Sequence, residues 1–269
     1  MRTVSLRALG CAALLVLGAC APTARPMSAV APPHVFGAVA RGRGPLGPVR
    51  VAEIAREVAE LRRLAFVRDV PVSFVDDRTF EARAASSMAD TQSDGLLEAL
   101  THDEPEESYR RRARYLLAIY SPRAAAVFVR RQLPAGWSAH DLEVLLAHEL
   151  VHALQFQHFD PERILAESRR RHDIDGASAL HAFLEGEAEV IAAGFSARRR
   201  GAPPRRAMVE AGRERSLDPR ALLAVGQVNQ ALSSASASQQ AATLFPYQFG
   251  PYFASALVHT NKITLLNTT

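Results

Sequence analysis

A chain of 269 residues with 48% hydrophobic, 7% aromatic and 22% charged residues has an ordinary globular composition, which excludes collagen, coiled coil and wholesale disorder. Two cysteines, Cys11 and Cys20, exclude a disulfide scaffold, and a net charge of +4 is a solubility effect rather than the mark of a polyanion binder. Lys262 is the only lysine among the 32 basic residues, so the arginine excess, in an alanine-rich chain, reads as coding bias.

Residues 1–20, MRTVSLRALGCAALLVLGAC, have the layout of an export signal, with Arg2 and Arg7 before an apolar stretch from Ala8 to Gly18. A membrane-spanning helix needs about 20 apolar residues, more than this stretch supplies. Its end, Leu17-Gly18-Ala19-Cys20, resembles the lipobox of bacterial lipoproteins. That resemblance implies a signal peptide at 1–19 and lipid on Cys20, with several acyl chains holding the membrane far better than one. Ala21 at the following position implies sorting to the outer membrane, on its periplasmic face. With Cys11 removed and Cys20 lipidated, the folded domain has no free thiol, so thiol catalysis and cysteine metal ligands drop out together.

From residue 20 to Pro48 the chain is rich in Pro, Gly and Ala and reads as a tether, leaving residues 49–269 as the domain. Ile54, Val58, Leu61 and Leu64 predict a helix over Val51–Phe66, and the alternation of Val70–Val75 predicts a strand. Asp76-Asp77 begins a further helix, while residues 86–105 are polar and poorly patterned. A helix is expected from Glu106 to Tyr120, ended by Pro122, then a strand over Ala125–Arg130 and a turn at Pro134-Ala135-Gly136.

Ser138 and Asp141 have capping-box spacing, and Leu142, Leu145, Leu146, Leu150 and Leu154 carry the helix they open to about Phe159. A charged span, 162–175, leads to a helix over Ala177–Ala197. After Pro203-Pro204 come a helix near Asp218–Ala231 and a low-complexity linker at Ser233–Ser238.

The chemistry sits in His148-Glu149-Leu150-Val151-His152, an H-E-x-x-H sequence. On a helix, residues four apart share a face, so both imidazoles can bind one metal ion while Glu149 flanks them. Two His ligands, an open position for water and a carboxylate base make the zincin arrangement. A third protein ligand is needed, and two candidates compete. His158 has metzincin spacing, but Gln155 stands where that pattern has a helix-stopping glycine. In a continuing helix His158 points roughly 120° away from His152, towards an outer position or the surface.

Glu185, in Phe183-Leu184-Glu185-Gly186-Glu187-Ala188-Glu189, resembles the gluzincin pattern E-x-x-x-[DE] and is the favoured ligand. In that pattern Glu189, one turn on, would accept the outer ring N–H of His148. Gly186 and Ala188 are expected to let this helix pack closely on the H-E-x-x-H helix, and Glu187 faces elsewhere.

The stretch HELVHALQFQHFD followed by FLEGEAEV is similar to a group of poorly characterised bacterial exported zincins with gluzincin-type peptidase motifs. The similarity includes VRRQLPAGWSAHDLEVLLAHE and Phe245-Pro246-Tyr247-Gln248-Phe249-Gly250, and so spans roughly residues 115–255. It implies an α+β fold, a mostly helical zincin-like domain with a small sheet, binding Zn2+ and cleaving a peptide or protein substrate. Such chains usually continue further, and the tail from Thr260 to Thr269 has no Arg or Ala, so a truncated or frame-shifted C-terminus is expected.

Zinc on His148, His152 and Glu185 would acidify a water and polarise a carbonyl, with Glu149 passing the water's proton to the leaving amine. Tyr247, Tyr252 and His259 are candidate donors to the oxyanion. The clusters Arg110–Arg112, Arg169–Arg171 and Arg198–Arg200 read as solvated helix ends, so no nucleic-acid partner is expected. Three function classes stay in play: a lipid-anchored envelope metallopeptidase, a non-catalytic zincin-fold lipoprotein acting in binding or envelope assembly, and a nucleic-acid or membrane-surface binder built on the arginine clusters, which the export signal disfavours.

Overall fold

A computed structural model describes residues 35–91, 109–110, 113–114, 116–217, 237–260 and 262. Four strands form one mixed sheet: β1 (Ala38–Arg41), β2 (Val70–Val75), β3 (Ala118–Ser121) and β4 (Ala126–Arg130), in the order β1-β2-β4-β3. β1, β2 and β4 run parallel, with Ala38 opposite Val70 and Val72 opposite Val127, while β3 pairs antiparallel with β4. Alternate residues point to opposite faces of such a sheet. Val70, Val72, Phe74, Val127, Val129 and Tyr120 therefore face the main core, and Val75, Ile119 and Phe128 face a smaller cluster around Phe80.

Helices among the described residues include α1 (Pro48–Arg62), α2 (Asp77–Thr91), α3 (Ala139–His158), α4 (Pro161–Arg171), α5 (Ile174–Arg199), α6 (Pro204–Leu217) and α7 (Ala237–His259). α2 packs on the Phe80 side of the sheet, α1 and α3 on the other, and α5 lies against α3 and α1. α6 and α7 then cover α5. The architecture is α+β, mostly helical with a small sheet. Among the described residues, no helix is long and apolar enough to cross a membrane.

Most local expectations hold, with instructive departures. β2 and β4 lie where alternation puts them, and Asp76 accepts from the backbone N–H of Thr79 to open α2. α2 runs on through residue 91, beyond the start of the stretch that had looked unpatterned. The expected helix from Glu106 to Tyr120 is wrong at its end, because Ala118–Ser121 is strand β3. Leu116, Leu117 and Tyr120 mimic a helical repeat, but pairing with β4 overrides it, a contact no local window contains.

Most of the charged span 162–175, to which no element was assigned, is helical: Pro161–Arg171 is helix α4, capped by Asp160 and burying Pro161, Leu165 and Ser168. Its apolar stripe is too narrow to show as periodicity among so many charges. α5 likewise begins earlier than expected, at Ile174, with the Asp173 side chain accepting from the Gly176 N–H.

The tether had been drawn to Pro48, yet Ala38–Arg41 is strand β1. The Gly37 N–H donates to Asp69, and the Gly37 carbonyl accepts from Val70. Four residues of alternation after a Pro-rich stretch are too short a signal to read. The expected signal peptide, Cys20, the helix near Asp218–Ala231, most of the linker and all but the first residues of the tail lie outside the described residues.

Candidate metal centre

α3 starts where its capping box dictates: the Asp141 N–H donates to Ser138 Oγ, and Asp141 Oδ2 accepts from the Ser138 N–H at 2.8 Å. Leu142, Leu146, Leu150 and Leu154 bury one flank of the helix. With that register set, His148 and His152 emerge together on the flank that faces α5. The chain then leaves α3 at Phe159, just before Asp160-Pro161, as the sequence predicts.

α5 brings Glu185 to the two histidines. The expected packing of Gly186 on the H-E-x-x-H helix is not what forms: Gly186 meets α7 instead, where a Cβ on it would lie 2.0 Å from the Gly250 carbonyl carbon. Glu185 Oε2 stands 3.3 Å from His148 Nε2 and 3.7 Å from His152 Nε2, and the two Nε2 atoms are 3.1 Å apart. One donor atom from each of the three residues falls within 4.8 Å of the others. Glu185 Oε2 is buried and accepts no hydrogen bond of acceptable geometry. Two imidazole nitrogens and a carboxylate oxygen turned towards one another form a cluster that either a ring proton or a bound cation can neutralise. Two nitrogens and one oxygen suit a divalent ion such as zinc.

The electrostatics agree. Burial by itself would raise the Glu185 carboxyl, but the His152 charge and the close imidazoles of His148 and His181 hold it well below the usual range. Burial also opposes charging either histidine, yet the Glu185 carboxylate lifts both above normal, His152 to about 9. A cation binding here must displace a proton. Zinc uptake at pH 7 is therefore expected to release a proton, with apparent affinity climbing about tenfold per pH unit up to about 9. Calorimetry in buffers of different ionisation enthalpy measures this, and uptake without proton release contradicts it. In the metal-free protein the sign reverses: protonated His152 stabilises the fold in full below about 6.5, and that contribution fades through about 9.

Glu149 lies on the other flank of the motif, only 7% exposed, and its Oε2 accepts a 2.6 Å hydrogen bond from the Tyr120 N–H of β3. Burial raises its carboxyl above the ordinary value, partly offset by the charges of His148 and His152. The same strand that contradicts the expected helix at 106–120 is thus the one that positions Glu149.

Glu189 Oε1 faces His148 Nδ1, the expected nitrogen, at 3.7 Å, longer than a direct hydrogen bond. Glu187 stays outside the trio, as its helical position implies, and its Oε1 lies 2.6 Å from Arg62 Nε. His158 ends α3 exposed, its Nε2–H donating to the Ala65 carbonyl at 2.8 Å, so it braces the connection from α1 to β2. Tyr247 is half-buried on α7, while Tyr252 and His259 are exposed there.

Sequence reasoning missed His181, whose Nε2 lies 3.4 Å from Glu185 Oε1. Its signal was available, since it sits one helical turn before Glu185. Gln155 was noted only as a failed glycine. Its Oε1 lies 2.8 Å from His152 Nδ1, and its amide nitrogen donates to the Leu184 carbonyl and to Glu187 Oε2. Comparison with protein-family models, with curated proteins and with solved structures finds no match.

Proposed function

We propose that this protein is a zinc-dependent peptidase of gluzincin type, with His148, His152 and Glu185 holding the metal. The observation that carries the reading is the convergence of both Nε2 atoms on the unsatisfied Glu185 Oε2, beside a buried, anchored Glu149. Zinc at this trio supplies Lewis-acid polarisation of a peptide carbonyl and acidifies the attacking water. Tyr120 holds Glu149 through Oε2, which leaves Oε1 to take the water's proton and hand it to the leaving amine nitrogen. The Glu185 carboxylate, gripped by His181 at Oε1, keeps Oε2 turned towards the two imidazoles. The buried leucines of α3 keep bulk water from the back of the site. Lipid on Cys20 would hold this domain at the bacterial envelope, where peptide or protein substrates are within reach.

Purified protein is expected to carry about one zinc per chain, to cleave members of a peptide library, and to stop when a chelator removes the metal. Glu185→Ala is expected to lose most of that zinc. Zinc retained by the parent protein with no cleavage of any peptide would instead favour a binding or envelope-assembly role. Absence of zinc from folded protein, even after reconstitution, overturns the metal-centre reading itself.

A further inference from the structure

Gln155 is 1% exposed, and three groups use its amide. The orientation of that amide follows from its partners. Nε2 lies 2.9 Å from both the Leu184 carbonyl and Glu187 Oε2, and both of these only accept. Turning the amide over would set an oxygen against two oxygens, so the nitrogen must face them and give up both its hydrogens. Oε1 then faces His152 Nδ1 at 2.8 Å, and an amide oxygen only accepts, so Nδ1 must carry the hydrogen.

We propose that Gln155 is a positioning residue that fixes His152 as its Nδ1–H form and so presents Nε2 to the metal. In the same role, the buried pair Arg62–Glu187 holds Gln155 in register. The proposal rests on the reading of His148, His152 and Glu185 as a metal centre. It also gives the buried Arg62–Glu187 ion pair a role besides stability. Arg62 and Glu187 are each about 1% exposed, and burial opposes both charges, lowering the basicity of Arg62 and raising the Glu187 carboxyl. Replacing such a pair with apolar residues of similar volume is often neutral or stabilising. What apolar residues cannot supply is the Glu187 Oε2 acceptor that dictates the Gln155 amide. The Leu184 contact extends the hold to the residue preceding Glu185, so one side chain ties the supports of two ligands. Outer-shell partners of ligating histidines commonly set ring orientation in this way.

The test uses zinc ion alone, in competition with a chromophoric chelator, on three proteins: the parent, Gln155→Met and the double variant Arg62→Met/Glu187→Leu. Methionine matches the glutamine in volume without its hydrogen bonds. Gln155→Met is expected to weaken zinc binding roughly 10–100-fold. The double variant trades the desolvation cost of the pair against one orphaned Gln155 N–H, so it is expected to melt within about 4 °C of the parent and still bind zinc more weakly, a split that a purely structural role would not produce. In zinc-loaded parent protein labelled at histidine nitrogen, the His152 Nδ1–H should be visible and protected from exchange, and Gln155→Met should lose that protection.

Zinc affinity in folded Gln155→Met within about twofold of the parent's overturns the proposal, far short of the effect such partners carry. If Gln155→Met does not fold, the parent decides the matter: a His152 ring hydrogen on Nε2, or an unprotected one on Nδ1, overturns it. A folded parent that binds no zinc overturns the metal centre first and this proposal with it, which separates the two failures.

Discussion

Glu149→Gln is expected to lower peptide hydrolysis by roughly 10²–10⁴-fold, the usual contribution of a positioned general base. Zinc content should be unchanged, because Glu149 is not one of the three converging residues. Stability should move the other way. Glu149 is 7% exposed, and burial raises its carboxyl above the ordinary value. A carboxyl whose folded pKa is raised costs the fold stability in full above the folded value, and that cost fades as pH falls from the folded value to the unfolded one. Glutamine removes the charge, and its side-chain oxygen can still accept from the Tyr120 N–H. Metal-free Glu149→Gln should therefore melt higher than the parent at pH 7, by about 2–4 °C for each 1 kcal/mol gained. The gain should shrink in zinc-loaded protein, where a cation nearby favours the carboxylate. Cleavage at the parental rate by Glu149→Gln would sink the assigned role, whatever the melting temperature.

The second large effect is steric. A Cβ on Gly186 would lie 2.0 Å from the Gly250 carbonyl carbon and 2.3 Å from its oxygen, and one on Gly250 would lie 1.9 Å from the Ala182 carbonyl oxygen. All of these are backbone atoms, so no rotamer change relieves the clash, and α7 must move away from α5. Alanine has a helix-propensity advantage over glycine of about 1 kcal/mol. Overpacking of a close contact costs typically 1–3 kcal/mol or more, and here it meets backbone. Gly186→Ala is therefore expected to destabilise by about 3 kcal/mol, lowering the melting temperature by roughly 6–12 °C. Because Glu185 is the preceding residue, zinc affinity should fall as well. Gly47→Ala is the control: a Cβ there meets nothing within 4 Å, and the change should stay within about 1 kcal/mol. An equal loss of melting temperature in both variants would mean that the α5–α7 crossing is not what Gly186 protects.

The parts of the site that were legible share one property: their information is local. The capping box, the four-residue spacing of the two histidines and the leucine stripe can all be read within one helix, and α3 begins and ends where they imply. Glu185 was reachable through the gluzincin resemblance of its E-x-x-x-[DE] spacing, supported by the apolar residues around it. Its neighbour Glu187 could be set aside from angle alone, and it does turn away to Arg62. The errors are the complement. β1 and β3 are four residues each, and both are strands because of the partners they meet across the sheet. Neither carries a local repeat long enough to separate it from a tether or a helix.

The H-E-x-x-H spacing and the capping box by themselves determined that one helix would carry two histidines and a carboxylate, while the α+β fold and Glu185 as the favoured third ligand were what the gluzincin resemblance implied. Only the tertiary structure decided what surrounds them. It places Tyr120 against Glu149, His181 against Glu185, and the Arg62–Glu187–Gln155 chain behind His152. Arg62 and Glu187 are 125 positions apart in the chain, a separation that no helical or strand period spans. Local periodicity can say which face a residue takes on its own element. Which residue waits opposite that face is set by how the elements pack, here by the Gly186–Gly250 crossing and the antiparallel pairing of β3 with β4.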